Sequence, residues 1–257
     1  MRIGVCTGIE KLKSAPPGLD YVEAAVEDLL CPRQGDDAFQ KRLALAKACP
    51  VPVEAVNLLI PGDMKTTGPC VDIAALDAYM ATVLRRAALA GVRMVGFGCG
   101  GSRRVPEGFD RAKAQSQIAG HLRRWGPLAT ACNLTIAVEP LNKAECNIIN
   151  TVAEAAEMAR SASYSCVKAL VDTYHAAKDG DPPDSIRRSG GMICHAHCAE
   201  GDGRGPLGTK GEDHRPYFKA LKEIGYDGRI SIEARWTDFE QQVGPAVAEL
   251  RRQWETA

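Results

Sequence analysis

Short apolar segments alternate with longer amphipathic segments along the whole chain. The short ones are rich in β-branched residues and have the length of strands, whereas in the longer ones apolar residues recur at helical spacing. The predicted strands comprise residues 3–6, 21–24, 53–58, 92–97, 135–139, 169–172, 193–197 and 230–233. The predicted helices comprise residues 37–48, 71–90, 110–131, 151–159, 215–224 and 239–254, with a weaker one at 184–188.

About eight repeats of strand and helix are typical of a closed parallel barrel. The chain has 257 residues and no linker, internal repeat or low-complexity segment divides it. This length suits one large α/β domain. We therefore predict a single (β/α)8 barrel domain over residues 1–257, with a doubly wound open sheet as the alternative.

Four consecutive predicted strands end in side chains that can bind a metal: Glu139, Asp172, His197 and Glu233. Because strand side chains alternate with period two, His195 points to the same face as His197. The carboxyl ends of the strands of a (β/α)8 barrel lie at one rim, where the active sites of such barrels are found. We expect the four side chains to converge there.

Three carboxylates and one imidazole form an oxygen-rich donor set, which favours Mn²⁺ or Mg²⁺, with Co²⁺ and Zn²⁺ as alternatives. Each residue also has an ordinary structural interpretation. Asp172 can cap the helix after it, and Glu233 can pair with Arg235, two positions further on. The occurrence of all four on consecutive strands favours one divalent metal ion.

Composition argues against several other classes of protein. The 32 Lys and Arg residues balance the 32 Asp and Glu residues, so no basic excess indicates binding to nucleic acid or an anionic membrane. The apolar runs are too short to span a bilayer, and the first residues enter a strand without a signal-peptide pattern. We expect a soluble, cytoplasmic protein whose ten scattered cysteines are buried and reduced.

The residues around these strand ends resemble a known family. The stretches are EPLNKAE from Glu139, DTYH from Asp172, HAH from His195 and IE ending at Glu233. Their order and spacing are similar to those of the xylose isomerase-like TIM barrels, in particular the sugar (phosphate) isomerases and epimerases that include ketose 3-epimerases. The resemblance is strong in the second half of the chain and looser in the first.

The resemblance implies one divalent metal ion held by Glu139, Asp172, His197 and Glu233, with the two glutamates as the acid/base pair. It also implies a small sugar or sugar derivative as substrate, contacted by Glu145 and His175. Arg204 represents the arginine of the loop that follows the histidine strand. We expect His195, which faces inward with His197, to support that ligand or to contact substrate.

A mechanism follows from these parts. The metal binds a ketone oxygen and the neighbouring hydroxyl, and one carboxylate removes the proton between them to leave a metal-bound enediolate. Return of a proton by the second carboxylate on the opposite face inverts that carbon, which is epimerisation. Return to the neighbouring carbon gives aldose–ketose isomerisation, and the sequence leaves both outcomes open.

Other functions remain as alternatives. Lyases, dehydratases and enzymes that cleave C-glycosides resemble the same barrels and keep the same metal set. An apurinic-type endonuclease needs more histidines and a basic groove. A sugar-binding barrel without turnover has no need of paired glutamates. The sequence leaves homo-oligomer formation open.

Two further features have structural interpretations. The glycine-rich residues 98–106, which include Arg103, predict a tight turn between strand and helix, with a phosphate cradle as the alternative. We expect His121 to lie on the surface of its helix.

Overall fold

The computed structural model describes residues 1–257 and shows a closed barrel of eight strands. All neighbouring strands are parallel, and the last pairs with the first, where Ile3 lies opposite Ile230. The strands are β1 (Arg2–Cys6), β2 (Tyr21–Ala25), β3 (Val53–Asn57), β4 (Met94–Phe97), β5 (Thr135–Val138), β6 (Val167–Asp172), β7 (Ile193–Cys198) and β8 (Arg229–Ile232). The predicted (β/α)8 barrel is confirmed, and its carboxyl strand ends lie at one rim.

Helices connect the strands on the outside of the barrel. They are α1 (Val26–Leu29), α2 (Asp36–Ala48), α3 (Ile73–Leu89), α4 (Gly100–Arg103), α5 (Arg111–Ala131), α6 (Val152–Ser161), α7 (Thr173–Asp179), α8 (Asp184–Ser189), α9 (Arg215–Glu223) and α10 (Phe239–Glu255), with 3₁₀ turns at Ile9–Lys11 and Gly190–Met192. Side-chain caps explain why two helices start where predicted. At the start of α3 the Asp72 side chain accepts from the N–H of Ala75, and at the start of α6 the Thr151 side chain accepts from the N–H of Glu154. None of the helices is sufficiently long and apolar to cross a bilayer.

Two apolar layers form the core. The larger packs the helices against the outside of the barrel, and a smaller cluster fills the barrel with Tyr21, Ala55, Met94, Ala137 and Leu170. Gly4 makes room for the Tyr21 ring, since a Cβ there would lie 2.2 Å from Tyr21 Cζ. The barrel is therefore a packed core and not an open channel.

His121 is buried, and the prediction that it lies on a helix surface is wrong. Only 1% of the residue is exposed, and its ring stacks on Trp125 with centroids 5.4 Å apart. Both ring nitrogens have partners, since Nε2 lies 3.1 Å from the carbonyl oxygen of Thr66 and Nδ1 lies 2.6 Å from Arg124 Nη2. The reason is tertiary: the loop that carries Thr66 covers this face of α5.

The cysteines are all free, but their predicted burial holds only in part. Cys31, Cys146 and Cys198 are buried, whereas Cys70 is exposed. The other six are partly buried, so small size and low polarity did not bring them all into the core.

Candidate active site

Four side chains from consecutive strands meet at the carboxyl-end rim of the barrel. Glu139, Asp172, His197 and Glu233 each offer a ligand atom, and these atoms all lie within 4.8 Å of one another. His197 Nδ1 lies 3.3 Å from Glu139 Oε1 and 3.1 Å from Glu233 Oε2. The structure therefore brings the four residues together as the strand-end pattern predicts.

Glu139 directly follows β5 and is supported by the glycine-rich loop after β4. A Cβ at Gly98 would lie 1.5 Å from Glu139 Oε2, so the carboxylate occupies the space that a side chain there would need. The buried Arg103 donates to the carbonyl oxygens of Phe97 at 2.7 Å and Glu139 at 2.8 Å. The loop thus joins the ends of β4 and β5, and Arg103 is committed to these carbonyls rather than to a phosphate.

Asp172, at the end of β6, uses one carboxylate oxygen to cap a helix and directs the other towards the candidate site. Oδ1 accepts from the N–H of Tyr174 at 2.8 Å and so caps α7. Oδ2 lies 3.3 Å from Arg204 Nη2 and 3.4 Å from His175 Nε2. Helix cap and candidate metal ligand are therefore compatible roles for this residue.

Glu233, which follows β8, is held from two sides of the barrel mouth. Its Oε1 accepts from Asn57 Nδ2 at 3.1 Å, and its Oε2 accepts from Arg204 Nη2 at 2.5 Å. Its N–H donates to the carbonyl of Cys198 at 3.0 Å, which continues the pairing of β8 with β7. The arginine that pairs with Glu233 is thus Arg204 and not Arg235.

The acids of the site differ in proton affinity. Burial raises the pKa of Glu139, and the neighbouring Glu233 and Asp172 add to the effect. Burial alone would also raise the pKa of Asp172, but His175 and Arg204 outweigh it and lower that pKa. Glu139 and Asp172 therefore differ in proton affinity although both are buried, because only Asp172 lies beside Arg204 and His175.

Three of the four predicted substrate-contacting residues lie at the barrel mouth. The guanidinium of Arg204 stacks over the ring of Tyr174, 4.7 Å from its centroid, and its Nη1 lies 4.0 Å from Glu145 Oε2. His175 Nε2 is buried and makes no hydrogen bond, although Asp172 Oδ2 lies 3.4 Å away. Together they place a guanidinium, a carboxylate and an imidazole beside the metal-binding cluster.

His195, the fourth, lies deeper in the barrel. It is fully buried, and its Nε2 lies 2.8 Å from Glu23 Oε2. Of the two roles predicted for it, burial favours support of a neighbouring ligand over contact with substrate. Glu23 is not among the predicted site residues, although it is the one acid in the otherwise apolar strand YVEAA.

The donor set fits one divalent cation. His197 Nε2 lies 2.9 Å from Glu23 Oε1, so a neutral His197 donates through Nε2 and presents the Nδ1 lone pair to Glu139 and Glu233. Such a lone pair facing two carboxylates is unfavourable unless a cation or a proton lies between them. Three carboxylates and one imidazole are ligands typical of Mn²⁺ or Mg²⁺.

Comparison with known families agrees with this architecture. The sequence model described as "Xylose isomerase-like TIM barrel" matches residues 10–254, which is nearly the whole chain.

Curated relatives include several 3-epimerases. L-ribulose 3-epimerase of Methylomonas sp. (strain DH-1) is 29% identical over 227 residues, which cover 86% of this chain and 76% of that protein. D-psicose 3-epimerase of Enterocloster bolteae is 30% identical over 146 residues, which cover 55% of this chain and less than half, 44%, of that protein. Both names denote isomerases, in agreement with the predicted enzyme class.

Solved structures show the same fold. That of D-psicose 3-epimerase in the presence of D-fructose superposes with a TM-score of 0.80 at 18% sequence identity, covering 100% of this chain and 98% of that one.

Proposed function

The chain belongs to the xylose isomerase-like TIM barrel family, and we propose that it is a metal-dependent epimerase of ketoses. One observation carries the proposal: two glutamates lie on either side of His197 Nδ1. Glu139 Oε1 is 3.3 Å and Glu233 Oε2 is 3.1 Å from this atom, and Asp172 completes the cluster. The names of the relatives support ketoses as the substrate class and inversion as the outcome.

The two glutamates supply the acid/base pair. They extend from β5 and β8, which are three strands apart, and so approach the centre of the mouth from different directions. One carboxylate removes the proton from the carbon beside the ketone, and the other delivers a proton to the opposite face of that carbon.

Glu139, Asp172, His197 and Glu233 would hold the metal ion, for which we propose Mn²⁺ or Mg²⁺, with Co²⁺ or Zn²⁺ as substitutes. When bound, such an ion stabilises the negative charge that develops on the ketone oxygen as the neighbouring C–H loses its proton.

The other polar groups of the mouth orient the sugar. Arg204 offers donors to the oxygens that carry developing charge, and it is held near them by Glu233 and Asp172. His175 donates through Nε2, and the partly exposed Glu145 accepts from a sugar hydroxyl. We propose these three as substrate contacts. We assign to His195 no contact with substrate but a hydrogen bond to Glu23, inside the barrel below the site.

The experiment is proton exchange in D₂O. The protein is incubated with Mn²⁺ and a panel of ketoses, and deuterium at the carbon beside the ketone is followed by NMR together with the epimer formed. We expect exchange and inversion at one carbon. Absence of exchange throughout the panel contradicts the proposal, and nicking of abasic-site DNA by the same preparation would instead indicate a nuclease.

A pair of variants tests the acid/base assignment. Glu233→Gln removes the base but keeps the size of the side chain, so the protein should fold and exchange should fall by at least about 10²-fold. The control is Glu240→Gln, which changes an exposed acid of α10 that pairs only with Lys13. Equal exchange rates in the two variants would reject the role of Glu233.

A further inference from the structure

A second polar layer lies inside the barrel directly below the four candidate ligands, and its centre is Glu23. This carboxylate is fully buried and bridges two imidazoles of β7. Its Oε1 lies 2.9 Å from His197 Nε2, and its Oε2 lies 2.8 Å from His195 Nε2. Ser231 Oγ donates to Glu23 Oε2 at 2.6 Å.

The directions of these hydrogen bonds follow from counting protons. An ionised carboxylate only accepts, so both imidazoles and Ser231 must donate to Glu23. The hydroxyl of Tyr21, 2.7 Å from Ser231 Oγ, then donates to Ser231.

We propose that Glu23 is a positioning residue that fixes His197 as the Nε2–H tautomer and aims its Nδ1 lone pair at the cation. The inference rests on the proposed function, because the cation is the one held by Glu139, Asp172, His197 and Glu233. The buried negative charge of Glu23 also makes the imidazole a stronger ligand. His195 assists by holding the second oxygen of Glu23, so the carboxylate cannot rotate away from His197.

Glu23 acts through His197 and is not itself a metal ligand. Cys6, Glu23 and His197 also bring potential ligand atoms within 4.8 Å of one another. However, both oxygens of Glu23 already accept hydrogen bonds, and the Nε2 proton of His197 lies between the imidazole and Glu23. A cation at this position would have to displace that proton and break the bridge.

The test is Mn²⁺ affinity, measured by calorimetry on wild type, Glu23→Gln and Ser231→Ala. In Glu23→Gln the amide NH₂ must face a donor, so one hydrogen bond of the bridge is lost, and we expect Mn²⁺ to bind about 10–100-fold more weakly. Ser231→Ala is the matched control, because it removes a donor to the same carboxylate but leaves both imidazole bonds. We expect its affinity to stay within about threefold of wild type.

A second measurement avoids any variant that folds poorly. In Zn²⁺-loaded wild type with ¹⁵N-labelled histidine, His197 Nε2 should carry a slowly exchanging proton and Nδ1 should carry none. A proton on Nδ1, or Mn²⁺ affinity unchanged in folded Glu23→Gln, would overturn the role of Glu23 alone. Failure of wild type to bind any divalent ion would overturn both this inference and the proposed function.

Discussion

Asn142 fixes the tautomer of His175. The backbone N–H of Asn142 lies 3.2 Å from His175 Nδ1, and its side-chain Nδ2 lies 2.7 Å from the same atom. Because a backbone N–H only donates, Nδ1 must accept, and the proton of the neutral ring is on Nε2. The same amide donates to Glu145 Oε1 at 2.9 Å, so one buried side chain sets two of the proposed substrate contacts.

Asn142→Asp should therefore weaken substrate binding. A carboxylate at this position would face the Nδ1 lone pair of His175 and the carboxylate of Glu145, which disturbs both contacts. We expect KM for the ketose to rise about tenfold, the equivalent of about 1.4 kcal/mol, while Mn²⁺ affinity stays unchanged. Steady-state kinetics and calorimetry measure the two quantities.

The control for this variant is Asn147→Asp. Asn147 lies on the same loop, but its side chain bonds only to the backbone of Val105. We expect KM to stay near that of wild type. A similar rise in KM for both variants would show that loop stability, and not the tautomer of His175, controls binding.

Gly98→Ala should disable the site by displacing Glu139. The added Cβ would lie 1.5 Å from Glu139 Oε2, a distance that forces the carboxylate to move. We expect Mn²⁺ affinity to fall by at least about tenfold, comparable to losing one ligand contact, as measured by calorimetry.

Gly120→Ala is the matched control. Gly120 lies within α5, where an added Cβ would approach only Arg124 Nη1, at 3.8 Å. This variant should keep full activity and gain up to about 1 kcal/mol in the free energy of unfolding. Wild-type Mn²⁺ affinity in Gly98→Ala would contradict the packing of Glu139 against this glycine.

Removal of divalent metal should lower stability. A cation that binds only the folded state adds about 2.7 kcal/mol to the free energy of unfolding at 100 times its dissociation constant. Urea unfolding with Mn²⁺ and with a chelator measures the difference. Asp172→Asn should reduce the gain, since a neutral amide replaces one carboxylate, and equal curves with and without Mn²⁺ in wild type would argue against a metal centre.

His121 should make stability depend on pH. Burial, assisted by the charge of Arg124, lowers the pKa of His121 to about 4, against about 6.5 in an unfolded chain. Above pH 6.5 the group is neutral in both states and has no effect. As pH falls from 6.5 to 4, the unfolded chain takes up a proton that the folded protein excludes, so the free energy of unfolding decreases by up to about 3 kcal/mol.

Comparison with His121→Gln isolates this contribution, because the other titrating groups are common to both proteins. Urea unfolding is measured at intervals between pH 7.5 and pH 4.5. We expect wild type to lose more stability than the variant over this range. Parallel losses would show that His121 takes up a proton without cost in the folded state.

The sequence predicted the fold well because its signals are local. Strand length, helical spacing and side-chain caps such as Asp72 act within a few residues, and the observed α3 lies within the predicted segment 71–90. The convergence of Glu139, Asp172, His197 and Glu233 was also predictable, since each lies within one residue of the carboxyl end of a parallel strand and these ends share one rim of the barrel.

Only the tertiary structure decided which groups support those residues. Glu23 is 172 and 174 residues from the two imidazoles that it joins, and no spacing rule connects them. Arg204, not the nearby Arg235, pairs with Glu233, and His121 is buried by a distant loop. Local periodicity determines which face a side chain points to, whereas its partner depends on how the closed barrel places remote strands and loops side by side.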